Sequence, residues 1–80
     1  MEITVLAFAG LKEKLGFEKR QLSLPEASRA GDVFAELFSG ADAATIGRSV
    51  MLAINRSYVK GDAILRHGDE LALIPPVAGG

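Results

Sequence analysis

The sequence predicts a strand at residues 3–9 that is apolar on both of its faces. Alternation along it places Ile3, Val5 and Ala7 on one face and Leu6 and Phe8 on the other. A strand with this pattern belongs in the centre of a sheet, where other strands pair with both of its edges. Each apolar face of the sheet then has to be packed against another group. A single helix can pack on only one face, so the second face needs a different partner.

Composition restricts what surrounds that strand. The chain has 80 residues, 49% of them hydrophobic and 24% charged, which is typical of one small globular domain with a thin core. Nine basic and ten acidic residues give a formal net charge of −1. Such a balance provides no electrostatic patch for nucleic acid or an anionic membrane, so we expect neither as a partner.

Side chains that could carry chemistry are few. The chain has no cysteine and a single histidine, His67, which stands in a Gly-Asp turn and is expected to be a solvated loop residue. There is no glycine-rich phosphate loop. We therefore expect no metal site, no bound cofactor and no catalysis by this chain alone.

The amino-terminal segment lacks a basic region, and charged residues appear by Lys12 and Glu13. This pattern predicts neither a signal peptide nor a transmembrane span. We expect a cytoplasmic protein.

In the first half of the chain, spacing predicts a short helix at 10–16 and an edge strand at 18–24 that pairs with the first strand. Ser28 is the candidate N-cap of the main helix. Gly31 is expected inside that helix, where it weakens the helix by about 1 kcal/mol relative to alanine. The apolar stripe of the helix contains Val33, Phe34, Leu37 and Phe38.

In the second half, residues 39–49 are small and polar and predict a loop. A strand is expected at 50–54, a tight turn at Asn55-Arg56, a short extended piece at 58–59 and a last strand at 70–74. The complete order predicts an α+β fold, a mixed sheet of four to five strands with one principal helix. That is the β-grasp, or ubiquitin-like, arrangement.

The carboxyl terminus is the most specific feature of the sequence. It consists of Pro75, Pro76, Val77, Ala78, Gly79 and Gly80. The two prolines leave the sheet as a stiff segment, and the small residues after them can thread a narrow channel. Six extended residues reach roughly 20 Å. We predict a domain at 1–74 and a flexible tail at 75–80, whose reactive group would be the Gly80 carboxylate after activation by a nucleotide-using partner.

Three stretches resemble the MoaD/ThiS family of bacterial sulfur-carrier proteins, most closely its MoaD branch. They are Val5-Leu6-Ala7-Phe8-Ala9 with Leu11-Lys12-Glu13-Lys14-Leu15-Gly16, then Leu52-Ala53-Ile54-Asn55, then the run from Gly68 to Gly80. The resemblance implies that an E1-like enzyme of the MoeB type adenylates Gly80 with ATP. A sulfur donor protein then leaves a thiocarboxylate there.

The same resemblance implies partners and an acceptor. A MoaE-like large subunit of molybdopterin synthase would take the tail, in a heterotetramer of two small and two large subunits. The sulfur would convert cyclic pyranopterin monophosphate to molybdopterin, during molybdenum cofactor biosynthesis. The small subunit itself would be a non-catalytic sulfur donor.

A partner surface is expected on the sheet face opposite the helix. Phe8, Leu6, Tyr58 and Ile74 would form it, at the root of the tail. Two alternatives stay open. The chain could carry sulfur into thiamin, tRNA or cysteine, or act as a ubiquitin-like tag; or it could be an interaction module whose tail is an inert, frayed terminus.

Overall fold

The computed structural model describes residues 1–38 and 46–76, and a five-stranded sheet is its main element. The strands are β1 (Glu2–Ala7), β2 (Lys19–Ser23), β3 (Met51–Ile54), β4 (Ser57–Val59) and β5 (Glu70–Ile74). They lie in the order β2-β1-β5-β3-β4. Strands β1 and β5 are parallel, whereas the other three pairs are antiparallel. The predicted mixed β-grasp sheet is confirmed, with β1 inside it and β2 at an edge.

The apolar faces of the strands divide as the alternation predicts. On the inner face β1 and β5 bury Ile3, Val5, Leu71 and Leu73 almost completely. The helix α2 (Asp32–Leu37) adds Val33 and Phe34 to the same core. Its other large members are Leu11, Leu24, Phe38, Leu52 and Leu65. Full burial of one such side chain contributes about 1.5–3 kcal/mol, so this layer accounts for much of the folding free energy.

The start of α2 differs from the prediction. Its N-cap is Gly31, so Gly31 is not inside the helix, and Ser28 is not the cap. The Ser28 hydroxyl instead donates to the Pro25 carbonyl at 2.8 Å. Arg29 N–H donates to Asp32 Oδ2 at 2.8 Å, so Asp32 closes the turn that leads into the helix.

A short backbone ladder explains why the helix starts late. Residues 28–31 run beside residues 61–65, and the amides of Ala30 and Gly31 donate to the carbonyls of Ala63 and Gly61 at 2.8 and 2.9 Å. Arg29 pairs with Ile64 in an isolated antiparallel bridge, and the Ser28 carbonyl accepts from the Leu65 amide at 2.8 Å, so the chain is extended here and turns into the helix only after these residues. A Cβ at Gly31 would stand 3.2 Å from the Gly61 carbonyl oxygen, which explains glycine at this close approach.

Two further helical segments lie outside the sheet. The predicted helix near residue 10 is present as α1 (Gly10–Leu15), which buries Leu11 and ends at Gly16 in the left-handed conformation. Residues 46–49 are helical, where a loop was expected. The remainder of that expected loop, 39–45, lies outside the described residues. Within residues 1–38 and 46–76 no helix is long and apolar enough to cross a membrane.

Candidate functional site

The outer face of the sheet carries a groove of about 330 Å³, here called the sheet-face groove. Its lining residues come from β1, β3, β4, β5 and the β3–β4 turn: Leu6, Phe8, Ala53, Arg56, Tyr58, Glu70, Ala72 and Ile74. No described helix covers this side, because α2 packs on the inner face. The groove is therefore open to a partner.

The four residues predicted from the sequence as a partner surface all line this groove. Phe8 is 46% exposed and Tyr58 67%, which is high for aromatic side chains, while Leu6 and Ile74 are half-buried. Apolar side chains held in this way are a common feature of protein interfaces. Their convergence agrees with the predicted surface, although binding by these residues stays a prediction.

Strand register creates the groove. Ala72 on β5 pairs with Leu6 of β1 on one side and Ala53 of β3 on the other, and Ala53 pairs with Tyr58 of β4. Two alanines at the centre of the face leave a low floor, and the larger side chains stand around it. Alternation along the last strand places Ala72 on the same face as Ile74, but sequence reasoning missed Ala53, because only the cross-strand pairing shows that it lies beside Ala72.

The groove lies beside the point where the chain leaves the sheet. Strand β5 ends at Ile74, which pairs with Met51 at the start of β3. Pro75 is half-buried and Pro76 exposed, and neither belongs to a strand. The remaining tail residues, Val77, Ala78, Gly79 and Gly80, lie outside the described residues, so the predicted domain boundary at 74 and the role of Gly80 stay predictions.

Polar groups at the rim are organised by Asn55. Its Nδ2 donates to Asp69 Oδ1 at 3.0 Å, and its Oδ1 accepts from the Glu70 amide at 3.0 Å. Asp69 Oδ2 also accepts from the Arg66 amide at 2.8 Å. These bonds tie the β3–β4 turn to the start of β5 and so fix the end of the groove where Arg56 and Glu70 lie.

The remaining candidates from the sequence have structural roles or none. His67 Nδ1 accepts the Glu2 amide at 3.0 Å, so the histidine joins its loop to β1. No group of three or more histidine and acidic side chains in the described part of the chain could hold a metal ion. The sheet-face groove and the tail that starts beside it are therefore the features that remain as candidates for a functional site.

The five-stranded mixed sheet, with α2 on one face and the other face open beside the end of β5, is that of a ubiquitin-like β-grasp protein. Comparison with protein-family models gives a match to the ThiS family over residues 5–80. The chain belongs to the ThiS family, which confirms the resemblance seen in the sequence.

Several relatives match the chain from end to end. The molybdopterin synthase sulfur carrier subunit of Arabidopsis thaliana is 40% identical over 81 residues, covering 100% of this chain and 84% of the relative. The protein of the same name from Drosophila ananassae is 37% identical, covering 100% of this chain and 92% of the relative.

Solved structures agree on the fold. The crystal structure of SAMP1 from Haloferax volcanii superposes with a TM-score of 0.78 at 26% identity, covering 100% of both chains. A ubiquitin from Caldiarchaeum subterraneum gives a TM-score of 0.61 at 18% identity, covering 100% of this chain and 98% of that one, and shows likeness of fold alone. The chain is thus a ubiquitin-like β-grasp protein, similar in sequence to molybdopterin synthase sulfur carriers.

Proposed function

We propose that this chain is the sulfur carrier of a molybdopterin synthase and that Gly80 holds the sulfur as a thiocarboxylate. The observation that carries the proposal is the full-length similarity, at up to 40% identity, to proteins named as sulfur carrier subunits of that enzyme. The Gly79-Gly80 end of the chain fits the role, because glycine lets a terminal carboxylate enter a channel too narrow for other residues.

Activation makes the terminal carboxylate electrophilic. The Gly80 carboxylate attacks the α-phosphorus of ATP on an E1-like enzyme, which releases pyrophosphate and leaves a glycyl adenylate. Hydrosulfide, supplied by the sulfur donor, then adds to the carbonyl carbon of Gly80, and AMP departs with the electron pair of the broken C–O bond. The product is a C-terminal thiocarboxylate, and the activating enzyme, not this chain, binds the ATP.

Delivery requires a second partner. We propose that a large synthase subunit binds the sheet-face groove and takes the tail into its own active site, in an assembly of two small and two large subunits. The thiocarboxylate sulfur bonds to a carbon of cyclic pyranopterin monophosphate and displaces oxygen there, and water then hydrolyses the resulting thioester, which leaves the sulfur on the pterin and returns Gly80 to a carboxylate. The dithiolene group of molybdopterin contains two sulfur atoms, so the carrier has to deliver sulfur twice for each molybdopterin formed. We place this reaction in the cytoplasm.

Intact-protein mass spectrometry tests the proposal. The chain is incubated with an E1-like activating enzyme, ATP and sulfide, and its mass should rise by the difference between one sulfur and one oxygen atom. Adding a large synthase subunit and cyclic pyranopterin monophosphate should return the original mass and form molybdopterin. If an established carrier gains the mass under identical conditions and this chain does not, the proposal is wrong.

A second candidate is a protein modifier. It is favoured by the full-length superposition on SAMP1 of Haloferax volcanii, which is a small archaeal modifier protein. Activation would be the same, but a lysine amine of a target protein would attack the carbonyl carbon of Gly80, forming an isopeptide bond and releasing AMP. Conjugates of higher mass that disappear in a variant lacking Gly79-Gly80 would identify this function, and molybdopterin formation without conjugates would identify the first.

A further inference from the structure

The β3–β4 turn has an unexpected residue at its second position. Asn55 and Arg56 connect Ile54 to its partner Ser57, and both have positive φ angles, 48° and 74°. A two-residue turn of this form favours asparagine followed by glycine. Asn55 fits that preference, whereas Arg56 occupies a conformation that a residue with a Cβ adopts only with strain.

No hydrogen bond or ion pair compensates for the strain at Arg56 in the part of the chain that the structure describes. Its side chain takes part in none of the hydrogen bonds or salt bridges among residues 1–38 and 46–76. Glu70 shares the groove with Arg56 but does not pair with it in that same set of residues. The guanidinium is exposed and available to a group outside the chain.

The position of Arg56 points to the kind of group it would meet. It lies at one end of the sheet-face groove, next to the exposed ring of Tyr58 and on the same surface as Phe8 and Ile74. A guanidinium beside an apolar contact surface pairs best with a carboxylate, which it can bind through two parallel hydrogen bonds. Arginine and aromatic residues together are also the types most enriched among the dominant contacts of interfaces.

We propose that Arg56 is a specificity-determining residue of the sheet-face groove and that it pairs with a carboxylate on the large synthase subunit. The inference rests on the proposed function, because that function supplies the partner. The apolar residues of the groove provide contact area, and Arg56 selects partners with an acidic side chain opposite the β3–β4 turn. The backbone strain at Arg56 is retained for this contact.

The test measures the affinity of the full chain for a purified large subunit by calorimetry, at low and high salt. Arg56→Gln should weaken binding about tenfold at low salt and reduce the salt dependence of the affinity. Arg66→Gln is the matched control, because it changes the net charge equally from an exposed site outside the groove, and its affinity should equal that of the parent. Arg56→Gly should also weaken binding, with a melting temperature equal to or above that of the parent.

The outcomes separate two failures. Equal affinities for Arg56→Gln and Arg66→Gln, with normal binding by the parent, would overturn the inference and leave the proposed function intact. A clear fall in the melting temperature of Arg56→Gly would also overturn it, since Arg56 would then be stabilising its own chain. No binding by the parent would remove the proposed function, and the inference with it.

Discussion

Ala9 is held in a backbone conformation that strongly favours glycine. Its φ and ψ angles are 50° and −128°, and its position is the N-cap of α1, directly after Phe8. The amides of Leu11 and Lys12 donate to the carbonyls of Phe8 and Ala9 at 3.1 Å, so the turn is closed by backbone bonds on both sides. Strain of this kind amounts to about 1–3 kcal/mol per residue.

Ala9→Gly should therefore stabilise the protein. Relief of strain outweighs the entropy that glycine adds to the unfolded chain, and we expect a gain of about 1 kcal/mol in the free energy of unfolding. Ala35→Gly is the matched control: Ala35 is exposed within α2, where the same change should destabilise by about 0.5–1 kcal/mol. Urea denaturation of both variants would decide, and changes of the same sign would contradict the assignment of strain to Ala9.

At the scale of elements, β5 joins the core to the groove. It is paired on both sides, parallel to β1 and antiparallel to β3. Alternation sends Leu71 and Leu73 to the inner face, where each is fully buried, and Ala72 and Ile74 to the outer face. The inner side chains of β5 thus stabilise the core, while its outer side chains line the groove.

Adjacent residues of β5 should respond very differently to truncation. Leu73→Ala removes a fully buried side chain and should lower the free energy of unfolding by about 2–5 kcal/mol. Ile74→Ala removes a half-buried side chain from the groove and should lower it by less, about 1 kcal/mol. Thermal and urea denaturation measure both changes, and a greater loss for Ile74 would mean that the two faces are assigned backwards.

At the scale of the whole molecule, the residues that stabilise the fold and the residues proposed to bind partners lie in different regions. The core lies between the inner face and α2, whereas the groove and the root of the tail lie on the outer face. Substitutions in the groove can therefore be separated from substitutions in the core by measuring binding and stability side by side.

Phe8→Glu should weaken binding to both proposed partners and leave the fold intact. The ring is 46% exposed, so a carboxylate there is solvated in the free chain, but it would be buried against an apolar surface in either complex. A central aromatic contact contributes about 2 kcal/mol or more to an interface. Affinities for the activating enzyme and the large subunit, with melting temperatures, test this; unchanged affinity with a collapsed melting temperature would place Phe8 in the core.

Removal of Gly79-Gly80, or extension beyond Gly80, should abolish sulfur transfer. Either change moves or blocks the terminal carboxylate that the activating enzyme must reach. The core is built from residues of the sheet, α2 and the loop before β5, so the melting temperature and circular dichroism should stay close to those of the parent. A large loss of stability would show that the tail is part of the folded structure.

Much of the fold follows from the sequence because its signals are local. The alternation in β1 and β5 predicts which side chains are buried, since successive residues of a strand point to opposite faces. The turn that begins at Asn55 and the end of β5 before Pro75 are likewise favoured by the conformations that asparagine and proline allow. The groove residues Phe8, Leu6, Tyr58 and Ile74 could be predicted because each is apolar on a face that the helix cannot cover.

Contacts between distant segments were decided only in the folded chain. Helix α2 begins at Asp32 and not after Ser28, because Ser28 and Arg29 are extended and pair with the distant residues Ile64 and Leu65. The floor of the groove depends on Ala72 standing beside Ala53, which follows from the register of β3 and β5. Neither pairing leaves a local pattern, because a strand's partner is chosen by the total burial and hydrogen bonding of the whole sheet. By itself, then, the sequence determined which strand faces are apolar and which residues form the carboxyl-terminal tail. The tertiary structure decided which strands lie side by side and so which side chains line the groove.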